Sequence, residues 1–248
     1  MFTTGSLACL VAAAGGYGMA LVFYLRRWPY AGRAALAIAF VLQGLYLLGR
    51  GWLGGVFVPN PIFEGPFLLP WSIALIILIR SLVDPDAPIA VTLMLVIGLT
   101  LFSIFYPQGM IPPSPKKLNI WALFFFTSES MAHALFYIGA GVATMSLFGK
   151  TPADGHLTWI VWGFIAYTIA QVTGAVWCFL GWGNTFSWGA RHLGSAAIWT
   201  FFAACLHMKF IPAWNRKNAL VTIVGAMLVF FISYGNYLRE MRFPRVGG

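Results

Sequence analysis

The chain has 248 residues, 60% of them hydrophobic and only 8% charged, too few polar side chains to coat a soluble domain of this size. Its net charge of +9 lies in short segments between apolar stretches, where membrane topology explains it and nucleic-acid binding does not. Three cysteines, Cys9, Cys178 and Cys205, form no CxxC pair, which excludes a thiol-ligated zinc site or dithiol redox centre and leaves core packing as the expectation for each.

Apolar runs of roughly 18 to 22 residues without period-two alternation predict an all-α, polytopic membrane protein with about eight transmembrane helices. They fill one domain over residues 1–248, because no polar interruption is long enough for a second. The first run, near residues 6–25, has no basic leader or cleavage site and reads as a retained helix. Arg26, Arg27 and Arg33 after it favour the cytoplasmic side, placing both termini outside. The second run, near 34–48, carries Gln43.

Residues 50–71 are rich in glycine and proline, include Glu64, and predict a re-entrant or surface segment ending at Trp71. Runs three and four extend to about residue 82 and over about 89–106, followed by an outer loop with Lys116 and Lys117. The fifth contains Glu129 and His133, and the sixth covers about 157–180. A Trp-rich outer loop joins it to the seventh, near 192–208, and the eighth ends near residue 238.

Ionisable groups inside a membrane span are costly, so each is a functional candidate. Glu129 and His133 are four apart and share a helix face, where a carboxylate can orient an imidazole or the pair can tie two helices together. His207 ends the seventh run and is either an iron ligand or a hydrogen-bonded helix-end residue. His156 falls in a loop and is expected to be solvated. Arg191 and His192 adjoin the aromatic loop, where they can meet a ligand carboxylate. No paired carboxylates, Ser-His-Asp set or phosphate loop is present, and no catalytic residue is assigned.

Trp177, Trp182, Phe186, Trp188 and Trp199 crowd the stretch from the sixth run into the seventh. Indole rings at this level serve either as interfacial anchors or as a platform for a flat apolar ligand, of which heme is the obvious case. From Trp177 through Trp182-Gly183, Trp188 and Trp199 to His207, the spacing resembles the heme-handling membrane proteins of cytochrome c assembly, chiefly the CcsA (ResC) family and more distantly CcmC. The likeness extends to Arg50, Trp52, Glu64 and Trp71, to His133 with Gly139, and to Asn236-Tyr237-Leu238.

The departures are specific. The family's WWD motif has aspartate where Gly189 stands and tryptophan where Phe186 stands, and Gln43 and Phe243 occupy expected histidine positions. Each of the family's two histidine pairs then keeps one member, His207 in the membrane and His133 outside.

The resemblance implies non-covalent b-type heme with His133 and His207 as metal ligands. Trp177, Trp182, Phe186, Trp188, Arg191, His192, Trp199, Glu129, Glu64 and Gln43 would contribute to cofactor binding. It implies heme presentation at the outer face of the bacterial inner membrane, with a CcsB-like membrane partner and a c-type cytochrome as acceptor, as part of a heme-attachment system. The alternative from another class is a membrane anchor of a respiratory or multiheme electron-transfer complex that binds a b-type heme or a quinone among other membrane subunits.

Overall fold

The computed structural model describes residues 4–53, 61–84, 87, 89–106, 118–152, 154–215 and 217–240, and all regular structure among them is helical. The Glu64 side chain, Phe243 and residues 107–117 lie outside the described residues. The order is α1 (Thr4–Leu25), α2 (Pro29–Leu53), α3 (Pro61–Val83), α4 (Ala90–Phe105), α5 (Ile120–Leu147), α6 (Leu157–Trp182), α7 (Ala190–His207), the short α8 (Pro212–Asn215) and α9 (Asn218–Glu240). Among the described residues, seven helices are long and apolar enough to cross a membrane, and α4 is a shorter apolar helix of 16 residues. The chain is a polytopic helical membrane protein.

Contacts divide the helices into two compact units, α1–α4 and α5–α9. In the first, α1 packs on α2, α2 on α3, α3 on α4 and α4 back on α1. Small residues let the backbones approach, since a Cβ at Gly16 would lie 2.9 Å from that of Ala39. Gln43, fully buried, accepts a 2.7 Å hydrogen bond from the Tyr17 hydroxyl and donates to the Phe67 carbonyl at 3.3 Å. Its amide thereby joins α1, α2 and α3.

The start of α3 departs from the sequence expectation: residues 61–70 are helical, not a surface or re-entrant loop. Pro61 takes the first helical position, where its missing N–H costs nothing. Pro66 and Pro70 lie inside the helix, and Pro70 has no N–H to offer the Pro66 carbonyl four residues earlier. The hydroxyl of Ser103 on α4 reaches that carbonyl instead, sharing its hydrogen with the Leu99 carbonyl of its own helix. A neighbouring side chain thus satisfies the backbone group that proline leaves open, as a membrane interior requires.

In the second unit α5 is the most enclosed span, with 72% of its apolar window buried. Asn119 caps it, its side chain accepting from the Trp121 N–H at 2.9 Å. Helix α5 packs on α6 and α9, and α7 closes the group against both. Near the middle, Phe136 of α5 and Phe202 of α7 stack with centroids 3.7 Å apart. His156, expected in solvent, is only 1% exposed, its Nε2 3.5 Å from Asn218 Oδ1. Asn218 also bonds to Cys205, so the starts of α6 and α9 and the end of α7 close over a polar cluster.

Candidate functional site

Helix α6 stops at Gly183, whose φ of +74° is a left-handed conformation that glycine adopts without a Cβ clash. The turn leads the loop 183–189 into α7 and leaves a cleft of about 400 Å³ between the end of α6, the loop and the start of α7. Cofactor pockets commonly occupy about 300–1,000 Å³ and are mostly apolar with a few placed polar groups. This cleft has that character.

Its aromatic wall is built from packing between helices. Trp177 is 5% exposed, stacked on Phe125 of α5 at 5.8 Å and met edge-on by Phe126 at 5.3 Å. Gly174 makes this approach possible, because a Cβ there would sit 2.8 Å from the Phe125 ring. On the α7 side, Trp199 donates from Nε1 to the Thr168 hydroxyl at 3.1 Å and packs against Phe164. Phe186 covers the loop side.

The polar side chains include Arg191, His192, Cys178 and Gln171, beside the hydroxyls of Thr185, Ser195 and Thr200. His192 is braced by Ser187, whose N–H donates to Nδ1 at 2.7 Å and whose Oγ and carbonyl oxygen lie 2.9 and 3.1 Å from the same nitrogen. Its other nitrogen, Nε2, stands 3.7 Å from Cys178 Sγ. Arg191 interacts electrostatically with Glu129 and Cys178. The Gln171 Nε2 is buried without a hydrogen-bond partner.

Of the residues singled out in the sequence, Trp177, Phe186, Arg191, His192 and Trp199 come together here. Trp182 and Trp188 do not line the cleft. Trp182 meets Trp177 edge-on while 52% exposed, and Trp188, 83% exposed, meets Phe186 edge-on. His133 is buried against Tyr167, ring centroids 5.6 Å apart, and its Nε2 has no hydrogen-bond partner. Tyr167 in turn donates to the carbonyl of Ser195, a lining residue, whereas His133 itself is not among the residues that line the cleft.

Glu129, one turn before His133, interacts electrostatically with Tyr167 as well as with Arg191. His207 is exposed at the far end of α7, its Nδ1 2.7 Å from the Ala203 carbonyl. Fifteen residues of helix put it about 22 Å from His192 along the axis. Gln43 belongs to the first unit, with its amide engaged as described.

Sequence reasoning missed Phe125, Gln171, Cys178 and Ser187. Cys178, for which the sequence alone suggests core packing, faces the cleft half-buried. Its proximity to His192 depends on the left-handed turn at Gly183, which spacing alone does not reveal. Among the described residues no group of three or more His, Cys, Asp or Glu could hold a bare metal ion. The cleft suits a flat apolar ligand instead, with aromatic walls for its faces and a guanidinium for an anionic edge.

Comparison with known proteins gives a consistent result. The chain is 23% identical to a cytochrome c biogenesis protein CcsA of Prochlorococcus marinus (strain MIT 9301), covering 87% of this chain and 84% of that one. It is 24% identical to CcsA of Synechococcus sp. (strain CC9902), covering 79% and 80%. A shorter stretch of 81 residues is 36% identical to CcsA of Prochlorococcus marinus (strain AS9601), covering 32% and 26%. No family model and no solved structure matches. The chain is related to the CcsA family of cytochrome c biogenesis proteins.

Proposed function

We propose that this protein works in cytochrome c biogenesis as a single-domain, heme-binding membrane protein that presents non-covalently held heme for attachment to an apocytochrome. The observation that carries this reading is the aromatic cleft at the Trp-rich loop, with Arg191 and His192 at its edge. The relationship to CcsA proteins over most of the chain supports it. Phe186 and Trp199 would face the macrocycle, the nearly buried Trp177 would back the cleft wall, and Arg191 would pair with a propionate. Bound heme supplies the vinyl groups to which the cytochrome's cysteine thiols add.

His133 and His207 are the two imidazoles that the family resemblance proposes for iron, and they lie at different levels of the second unit. His133 keeps an unpartnered Nε2 beside Tyr167 but does not line the cleft, so a role for it in binding iron would need a site of its own. His207, at the other end of α7, would serve a separate site. Exposed Trp182 and Trp188 form the rim at which an acceptor cytochrome arrives, on the outer face of a bacterial inner membrane, and a CcsB-like membrane protein completes the system.

Deletion of the gene in its host tests the biological role. The expected result is loss of covalent heme in c-type cytochromes while their polypeptides are still made. Unchanged cytochromes c would contradict it.

A further inference from the structure

The turn between α1 and α2 carries Arg26 and Arg27, and Arg33 follows in the second turn of α2. The chain has no acidic residue before Glu64, which comes after the far end of α2. Arg80, in the same unit, faces Asp84 and so has a counter-charge. The three arginines at the turn have none on either of the helices that carry them.

Arg33 is also held half-buried, with its Nε and Nη2 enclosed and without a hydrogen-bond partner. Its guanidinium lies 5.4 Å from the centroid of the Tyr30 ring. The Tyr24 hydroxyl is buried and unpartnered too, and its ring packs on the start of α2, where a Cβ at Gly32 would sit 2.9 Å away. A buried amine or carboxyl can shed its charge, but a guanidinium keeps it at any ordinary pH. An unpaired cation so placed is costly, and an anion from outside the chain relieves it.

Arg27 gives a second, independent observation. Its φ is +60°, the one positive value on a non-glycine residue among the described residues. It closes α1, where its N–H donates to the Tyr24 carbonyl at 3.1 Å and that of Trp28 to the Phe23 carbonyl at 2.9 Å. Glycine is the usual residue at such a helix end, because a side chain is strained in the left-handed region. Here the strained position holds a positive charge at the tip of the turn. Beside it, exposed Trp28 stacks on Phe23 at 6.0 Å, and Tyr30 is 79% exposed. Aromatic rings at the joint of two membrane-length helices belong at the level of lipid headgroups, where phosphate is the anion at hand.

We propose that Arg33, with Arg26 and Arg27, forms a binding site for the phosphate of an acidic phospholipid at the α1–α2 turn. Guanidinium groups suit phosphate because their N–H fork matches two of its oxygens. The exposed Tyr30 ring swings aside to open the enclosed edge of Arg33. The site belongs to the unit of α1–α4 and does not depend on what the cleft binds.

The test is thermal unfolding of the full-length protein in nanodiscs of phosphatidylcholine alone or mixed with phosphatidylglycerol, with inorganic phosphate added to phosphatidylcholine samples as the soluble anion. Phosphatidylglycerol should raise the wild-type midpoint by about 2–4 °C for each arginine engaged, and inorganic phosphate should raise it little. Arg33→Gln should lose most of that gain. Arg27→Gly, which relieves the backbone, should unfold no lower than wild type in phosphatidylcholine yet gain less from phosphatidylglycerol, so that folding and lipid binding are read apart. Lys209→Gln removes a charge elsewhere and should keep the full gain. A wild type indifferent to phosphatidylglycerol overturns the proposal, as does a full gain in Arg33→Gln. An equal gain from inorganic phosphate, or an equal loss in Lys209→Gln, overturns it as well, the first marking a free-anion site and the second a response to overall charge.

Discussion

The rings of Phe186 and His192 stack with centroids 5.3 Å apart and 25° from parallel, so a residue of the loop sets the tilt of an imidazole in the first turn of α7. Such a contact is worth about 0.5–1.5 kcal/mol. Phe186→Ala should therefore weaken hemin binding by roughly three- to tenfold while leaving the axial-ligand spectrum in place. Titration in detergent reads both quantities, and a shifted spectrum at saturation would mean that the stack does more than restrain the ring.

Gly174 lines the cleft beside the Phe125 ring. A β-branched side chain there must displace the Phe125 ring, which lies 2.8 Å from where a Cβ would sit. Gly174→Val is expected to cost about 1–3 kcal/mol through overpacking and to abolish hemin uptake. Thermal unfolding and titration of the same sample check it, and normal uptake would show that the cleft does not depend on this contact.

Arg191 interacts with Glu129 and Cys178 and is the only guanidinium among the lining residues of the cleft. A charge-assisted hydrogen bond to a carboxylate contributes about 1.5–3 kcal/mol, so Arg191→Gln should lower heme affinity by about ten- to a hundredfold. Arg191→Lys should recover part of the loss, since it keeps the charge without the fork. Hemin dimethyl ester, which lacks propionate charge, should bind wild type and Arg191→Gln equally.

Much of the fold was legible in the residues themselves. Long apolar runs without alternation announced the membrane helices, because a chain in lipid must satisfy its backbone within each span. The segment around Pro66 and Pro70 was not legible. Whether proline breaks a helix there depends on Ser103, 37 residues later, which serves the Pro66 carbonyl. The burial of His156 is hidden in the sequence for a similar reason, since its cover comes from Asn218 on another helix.

At the site, aromatic spacing marked Trp177, Phe186 and Trp199 but did not distinguish them from Trp182 and Trp188. Helix phase and the Gly183 turn decide which rings face inward. That difference should show in stability. Trp177→Ala empties a packed position and should cost about 3–5 kcal/mol, whereas Trp188→Ala should change stability by less than about 0.5 kcal/mol. Trp188→Ala should still lower the yield of holocytochrome c if the exposed rim receives the acceptor. Unfolding in detergent and cytochrome c content in complemented cells measure the two effects.

Ser103→Ala provides a control outside the cleft. It leaves the Pro66 carbonyl without its side-chain donor and should cost about 1–3 kcal/mol in the unit of α1–α4. Hemin affinity and spectrum, which arise in the other unit, should not change. Altered heme binding in this variant would place part of the site outside α5–α9.

The central claim is that this protein binds heme, and the absorption spectrum of the protein purified from hemin-supplied membranes, with its heme-to-protein ratio, tests it most directly. A stoichiometric, non-covalent heme that is extracted by acid acetone and lost in Gly174→Val is the predicted result. Protein that is folded and abundant yet free of heme under those conditions would contradict the account.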